Sequence, residues 1–172
     1  MNETLKVLTE RRSCRNYTPD PIPADILNQI LEAGTFAATG MGKQSPIMMA
    51  VTDKKTRDQL SKMNADVMGA SNDPFYGAPV VIVVLADRSV PTYLYDGSLV
   101  MGNLMNAAHS LGIASCWIHR AKEEFDSPAG RAILQDLGIE GDYEGIGHCI
   151  LGYSAQENKT AAPRKANYIY CI

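Results

Sequence analysis

The sequence predicts an α/β fold with a central sheet covered by helices, and three observations lead to this prediction. Strand-like and helix-like segments alternate along the 172 residues, a pattern typical of sheets joined through helices. The uninterrupted aliphatic run at 80–85 indicates a strand that is buried on both faces. A composition of 45% apolar and 20% charged residues, with no linker-like stretch, is typical of globular domains. Residues 1–172 are therefore expected to form one domain.

The first half of the chain is predicted to hold three helices and a short strand. Asn2 is a suitable N-cap for the first helix, and the prolines that follow Tyr17 make the next segment a loop. Apolar residues recur at helical spacing after Pro23, and Asp53 opens a charged amphipathic helix. The predicted elements are helix 3–11, helix 23–36, a glycine-rich loop 39–46, strand 47–51 and helix 53–68.

The second half is predicted to hold further strands, each followed by a helix or a loop. Residues 96–111 carry few polar side chains, so this helix should be mostly buried. Ser127 and Pro128 are typical of a helix start, and Gly138 of a helix end. The apolar tail at 167–172 is strand-like and has no obvious neighbour, so we expect it to pair with a partner subunit. The predicted elements are strand 80–85, helix 96–111, strand 113–118, helix 127–138 and strand 147–153.

Charge and segment lengths argue against several classes of protein. Lys and Arg total 16 against 19 Asp and Glu, and a net charge of −3 does not favour nucleic-acid binding. The apolar runs are strand-sized, too short to span a bilayer, and residues 1–20 lack the apolar core of a signal peptide. The four cysteines form no CxxC pair, which favours reduced thiols in a cytoplasmic protein and no metal site.

The densest positive charge lies at Arg11-Arg12-Ser13-Cys14-Arg15, where a helix ends. Two interpretations remain open: a solvated basic helix end, or a grip for phosphate or another anion. Gly40-Met41-Gly42 lacks the third glycine of a dinucleotide fingerprint and leads into a strand, so it does not indicate a Rossmann site. No elbow motif marks a nucleophile. His109 and His148 are expected in the core, whereas His119 ends a strand, where ligands often bind α/β sheets.

Several segments, in this order along the chain, resemble the nitroreductase family of flavin enzymes. The opening cluster is similar to the family's RRSxRxF/Y signature, and the other matches cover nearly the whole chain. They are 42–46, 75–84, 96–109, 111–118, 152–153 and 163–165. The resemblance implies an α+β sandwich around a mixed, mostly antiparallel sheet. It also implies an obligate homodimer that binds FMN at the subunit interface.

The resemblance assigns the basic residues to two ends of FMN. Arg11 and Ser13 match positions that hold the phosphate, joined by Arg164 and Lys165, and Arg12 matches a position near the ribityl chain. Arg15 matches a cation beside the N1–C2 edge of the flavin ring, where reduction places negative charge.

The resemblance also assigns uncharged segments to the flavin. Gln44 and Ser45 match a loop that contacts the pyrimidine side of the ring or the ribityl hydroxyls. Trp117, Ile118 and His119 match a strand end that covers one ring face, with the His119 N–H at flavin N5. The family's Trp-Ile-Gly pattern is interrupted here by His119-Arg120. The family's asparagine before the central strand corresponds to Asn72, with Asn64 as the alternative.

The implied function is hydride transfer from NAD(P)H, through flavin N5, to an electron-poor acceptor such as a nitroaromatic or a quinone. The two half-reactions share one site, and the flavin carries the chemistry, so no side-chain nucleophile is required. The alternative is a flavin-binding protein of the same fold that stores or senses FMN without turnover. A second alternative, an anion- or nucleic-acid-binding module built on Arg11–Arg15, is disfavoured by the net charge.

Overall fold

Four antiparallel strands form the sheet of the computed structural model, which describes residues 1–157 and 159–172. The strands are β1 (Pro46–Val51), β2 (Val80–Asp87), β3 (Ala114–Ile118) and β4 (Tyr143–Gly152), in the order β1-β2-β4-β3. All neighbouring pairs run antiparallel. A parallel contact is added at the outer edge of β3, where an isolated bridge joins Ser115 to Ser13. The α+β class expected from the family resemblance is confirmed.

The described residues form six α-helices around these strands. Three of the helices begin at side chains that the sequence predicts as N-caps. Asn2, Asp53 and Ser127 each accept a hydrogen bond from a backbone N–H in the first turn of the helix that follows. The helices are α1 (Glu3–Glu10), α2 (Ala24–Thr35), α3 (Lys54–Met68), α4 (Tyr93–Ser110), α5 (Ala121–Asp126) and α6 (Pro128–Asp136). A single 3-10 turn spans Gly40–Gly42.

The core lies in two layers, one on each face of the sheet. Residues of β2 alternate between them: Val81 and Val83 join the layer under α3, α5 and α6, whereas Ile82 and Val84 face α2 and α4. All of 80–86 is buried, as the aliphatic run predicts for a strand in the interior of a sheet. Helix α4 packs close to the sheet because Gly97 lies against Ile146, and a Cβ there would be 2.5 Å from Ile146 Cγ1.

The structure differs from the sequence prediction in four helix and strand assignments. Helix α4 begins at Tyr93, earlier than predicted, and β4 begins at Tyr143 although Gly145 and Gly147 interrupt its apolar pattern. Helix α5 was not predicted, because six residues are too few for a helical repeat to be visible. The tail at 167–172 forms no strand in this chain. Within the described residues no helix has both the length and the apolarity needed to cross a membrane.

Candidate functional site

A cavity of about 170 Å³ lies between the start of β3, the end of α4 and the segment that follows α1. The sequence-predicted residues Arg11, Arg12 and Ser13 all line it. His109, Ser115 and Lys159 line it as well. Cationic and hydroxyl side chains from distant parts of the chain therefore meet at one concave surface, an arrangement suited to binding an anion.

The segment after α1 is fixed beside β3 by backbone hydrogen bonds. The Cys14 N–H donates to the Ser115 carbonyl at 3.0 Å, and the Thr18 N–H donates to the Tyr153 carbonyl at 2.9 Å. The bridge between Ser13 and Ser115 is parallel, so both segments advance in the same direction. Arg11 therefore lies toward the start of β3. After Cys14 the segment turns to the residues that follow β4, where the Arg15 N–H donates to Gln156 Oε1 at 3.1 Å and the Ala155 N–H donates to the Asn16 carbonyl at 2.9 Å.

Buried polar atoms around the cavity lack partners within the described residues. Arg11 Nη1, Arg12 Nε and Ser115 Oγ are all shielded from solvent and have no hydrogen-bond partner there. An unpaired buried guanidinium nitrogen is costly, because its hydration is lost without replacement. These donors fit a bound anion, whose oxygens would supply the acceptors.

Two of the three buried thiols near this surface are poor nucleophiles. Cys14, Cys116 and Cys149 are all free and buried. Burial raises the pKa of Cys116, and it raises the pKa of Cys149 to about 12. These two thiols therefore stay protonated at neutral pH, and the thiolate is the reactive form. The site does not resemble one that uses a covalent cysteine intermediate.

The far end of β3 is held by a buried asparagine. Asn64 is completely buried, and its Nδ2 donates to the His119 carbonyl at 2.8 Å and to Glu124 Oε1. Its Oδ1 accepts a hydrogen bond of 3.0 Å from Arg120 Nε. Arg120 has φ 77° and ψ 6°, a left-handed conformation that is uncommon for residues other than glycine. Asn64 thus connects α3, the end of β3 and α5.

The buried network continues to a histidine of β4. His148 Nε2 lies 3.2 Å from Glu124 Oε2, and both side chains are inaccessible to solvent. Phe75 packs on the imidazole, with ring centroids 5.1 Å apart. His148 is therefore a core residue as expected, but it belongs to a polar network that reaches the proposed flavin-facing strand end.

The peptide unit between His119 and Arg120 has a defined direction. Its carbonyl points inward to Asn64, and in a trans peptide the N–H points the opposite way. The Arg120 N–H therefore points away from Asn64, and no acceptor for it is present in the described part of the chain. This unit offers an outward-facing donor at the position where the sequence analysis placed the His119 N–H.

Hydrogen bonds to Asp96 fix the glycine-rich loop before β1. The buried Asp96 carboxylate accepts hydrogen bonds from Ser45 Oγ at 2.7 Å, the Gly40 N–H at 3.0 Å and Thr92 Oγ1 at 3.1 Å. Burial alone would raise the pKa of Asp96, but these hydrogen bonds outweigh it and hold the pKa below its usual value. The Ser45 hydroxyl thus donates its hydrogen bond to Asp96. Gln44, the residue before it, has an exposed side chain and a left-handed backbone with φ 49°.

Asn72, Arg164 and Lys165 were predicted to contact the flavin, but in the described part of the chain they neither line the cavity nor join the hydrogen bonds around Asn64. Asn72 is exposed in the loop after α3, whereas its alternative Asn64 is the residue that contacts the strand end. Arg164 is exposed and donates only to the Ala162 carbonyl, and Lys165 Nζ lies 5.1 Å from the Tyr168 ring centroid. Neither of these tail cations lines the cavity.

Sequence reasoning missed two polar side chains that do line the cavity. His109 is only half-buried and faces the cavity, so its assignment to the core was wrong. Its place in the last turn of α4, two residues before the predicted end of that helix, was the available signal. Lys159 lies in a polar loop without any periodic pattern, and only the folded path of that loop brings it to Arg11.

Comparisons with known proteins agree on a single family. The sequence model described as the nitroreductase family matches residues 8–71 and 65–153. A protein of Archaeoglobus fulgidus assigned as an NADH dehydrogenase/NAD(P)H nitroreductase is 31% identical over 162 residues, which cover 91% of this chain and 88% of that protein. A Bacteroides fragilis nitroreductase crystallised with bound FMN is 31% identical, superposes with a TM-score of 0.91 and is matched over 100% of both chains.

One relative is considerably longer than this chain. The FMN reductase [NAD(P)H] of Bacillus subtilis is 28% identical over 138 residues, which cover 67% of this chain. The match spans 53% of that protein, about half of its length.

Proposed function

This chain belongs to the nitroreductase family, and we propose that it is an FMN-dependent oxidoreductase that uses NAD(P)H to reduce an electron-poor acceptor. The observation that carries the proposal is the set of buried, unpaired donors Arg11 Nη1, Arg12 Nε and Ser115 Oγ around the cavity. FMN brings a phosphate that suits these donors. The related nitroreductase of Bacteroides fragilis, with FMN bound, supports the same assignment.

The start of β3 is the proposed phosphate end. Arg11 and Ser13 would hold phosphate oxygens, with Arg12 nearer the ribityl chain. His109 and Lys159 line the same cavity and add two further possible donors. Arg164 and Lys165 stay proposed phosphate ligands, although in this chain both lie outside the cavity. Their contribution requires the tail to change its path or to serve the site of a partner subunit.

The end of β3 is the proposed ring end. We propose Arg15 as the cation at the ring from the family resemblance, and its positive charge would favour the negative charge that reduction brings to the N1–C2 edge. The Arg120 N–H points outward and would donate to flavin N5, in place of the His119 N–H expected from sequence. Trp117 and Ile118 would cover a ring face, and Gln44 would reach the pyrimidine side from its exposed loop. Asn64 would hold the strand end, whereas Asn72 remains the alternative flavin contact.

When bound, FMN supplies the redox chemistry by taking a hydride from NAD(P)H and passing electrons to an acceptor in two half-reactions. The protein's residues bind and orient the participants. Arg11, Arg12 and Ser13 fix the anionic end, Arg15 provides a fixed charge, and the peptide of Arg120 provides a donor. No residue of the chain needs to act as a nucleophile, which agrees with the raised pKa values of Cys116 and Cys149.

We also propose that the protein works as a homodimer. The cavity of about 170 Å³ is smaller than the roughly 300–1,000 Å³ of typical ligand sites, and a partner chain would complete it. Large apolar side chains are exposed on α4, namely Tyr95 at 74% and Leu99 at 50%, and in the tail, namely Ile169 at 80%. Pairing of residues 167–172 with a partner's sheet would cover such surface.

The second candidate function is storage or sensing of FMN without turnover. It shares every proposed flavin contact, so the rate of reduction separates it from the enzyme. The free cysteines of the chain fit a reducing compartment, and we propose the cytoplasm.

The test begins with the purified protein and added FMN. We expect a yellow protein with a flavin spectrum, bleached within seconds when NADH or NADPH is added without oxygen. Addition of a quinone or a nitroaromatic should restore the yellow colour. A protein that does not bind FMN would contradict the proposal. Tight FMN binding without bleaching by either nucleotide would favour storage or sensing.

A further inference from the structure

Arg120 combines a strained backbone with a side chain that is only partly satisfied. Its φ of 77° lies in the left-handed region, where glycine is favoured and larger residues are rare. Uncommon backbone conformations of this kind persist where surrounding contacts hold them, and they concentrate at functional sites. Here the holding contacts are visible: Arg120 Nε donates to Asn64 Oδ1, and Asn64 in turn holds the His119 carbonyl.

The outer end of the Arg120 guanidinium is available to a ligand. Within the described residues, neither Nη1 nor Nη2 has a hydrogen-bond partner, and Arg120 forms no ion pair. Both nitrogens are accessible to solvent, since the residue is half-buried. Two other arginines away from the phosphate cavity are neutralised: Arg57 contacts Asp58 and Asp73, and Arg88 contacts three carboxylates. Arg120 therefore presents an oriented cation without a counter-charge.

The position of Arg120 separates it from the phosphate cavity. Arg120 follows Ser115, which lines that cavity, by five positions, so the two are at most about 16 Å apart at the rise of an extended strand. A cofactor whose phosphate occupies the cavity would carry its ring toward the Arg120 end of β3. An anion bound by Arg120 is therefore not the cofactor's phosphate but belongs to a substrate at the ring.

We propose that Arg120 is a specificity-determining residue that binds a carboxylate on the electron acceptor. A planar guanidinium matches the two oxygens of a carboxylate, and fixing Nε on Asn64 orients the remaining pair of nitrogens outward. The proposal rests on the proposed function, because it requires FMN along β3. It names the acceptor class as carboxylate-bearing aromatic or unsaturated compounds.

The experiment uses the FMN-loaded protein and a pair of probes that cannot be reduced, benzoate and its neutral analogue benzamide. Their dissociation constants are read from the change in the flavin spectrum. We expect benzoate to bind about tenfold more tightly than benzamide, because hydrogen bonds to a charged partner are the stronger ones. Arg120→Gly suits the left-handed backbone and should fold, and it should remove this preference, so that the ratio of the two dissociation constants approaches one. Arg120→Lys keeps the positive charge but loses the planar pair of nitrogens, so it should retain part of the preference for benzoate.

The matched control is Lys122→Gln, which removes a nearby charge that is already paired with Asp126. This variant should keep the preference for benzoate. Turnover adds a second measurement: in Arg120→Gly, kcat/KM for 4-nitrobenzoate should fall about tenfold more than kcat/KM for 4-nitrobenzamide.

Equal effects of Arg120→Gly on both probes, or no effect on either, would overturn the proposal. A selective rise of KM for NADPH over NADH would overturn it too, since the anion would then be the nucleotide's 2′-phosphate. Because benzoate binding needs no turnover, it tests Arg120 even if the flavin is reduced slowly. Failure to bind FMN at all is the separate result that contradicts the proposed function, and this inference with it.

Discussion

Asn64 Nδ2 donates a hydrogen bond of 2.8 Å to the carbonyl of His119, 55 residues further along the chain. Through this contact a buried side chain of α3 sets the direction of the peptide that ends β3. The same side chain binds the buried Glu124 carboxylate and the Arg120 guanidinium, so it holds three polar groups around the end of β3. The outward N–H and the outward guanidinium of Arg120 both depend on it.

We expect Asn64→Ala to lower the free energy of unfolding by about 2–4 kcal/mol, because buried polar groups lose their partners. Chemical denaturation measures the change. Asn72→Ala is the matched control: this exposed loop residue should alter stability by less than about 0.5 kcal/mol. An equal loss of stability in both variants would show that Asn64 does not hold the network.

Arg11→Ala and Arg164→Ala should each weaken FMN binding about tenfold or more, since each is proposed to form charge-assisted bonds to phosphate. The dissociation constant of FMN is measured by quenching of flavin fluorescence. Arg131→Ala is the control, because Arg131 is already paired with Asp126. Unchanged affinity in both test variants would reject the phosphate assignment, and loss in Arg11→Ala alone would remove Arg164 from it.

Arg15→Gln should act on the flavin's potential more than on its affinity. A tenfold loss of preference for the reduced over the oxidised flavin lowers a two-electron midpoint potential by about 30 mV. We expect a shift of this order, together with slower reduction by NAD(P)H, while oxidised FMN still binds. A midpoint potential equal to that of the unaltered protein would show that Arg15 does not face the ring.

Asp96 should contribute to the pH dependence of stability. Its pKa in the folded protein is lowered from the ordinary 3.8, so its contribution is present above that value and is lost as the pH falls through the folded pKa. Unfolding at a series of pH values should show stability dropping below about pH 4, with a shallower drop in Asp96→Asn. Asp20→Asn, in an exposed loop, should leave the slope unchanged; an identical slope in Asp96→Asn would contradict the assignment.

Deletion of residues 167–172 should abolish both the dimer and flavin binding. The tail is exposed in this chain, with Tyr168 at 66% and Tyr170 at 82%, and a partner's sheet would bury it. Mass in solution and bound flavin are measured on the same sample. A truncated protein that remains a yellow dimer would show that the tail is incidental.

Local patterns in the sequence determined the sheet, most helices and the cluster at Arg11–Arg15. The aliphatic run at 80–85 could fit only an interior strand, and Asn2, Asp53 and Ser127 cap helices through contacts within one turn. The family resemblance followed from short segments in a fixed order. These features depend on neighbouring residues, so a single sequence is enough to identify them.

Only the tertiary structure decided which distant side chains meet. It turned His109 toward Arg11, brought Lys159 to the same cavity, and placed Asn64, not Asn72, beneath His119. It also committed the Ser45 hydroxyl to Asp96 and gave Arg120 a left-handed backbone. Each of these outcomes depends on the register between strands and on how helices pack against them. No local periodicity carries that information, because the partners are separated by 50 residues or more.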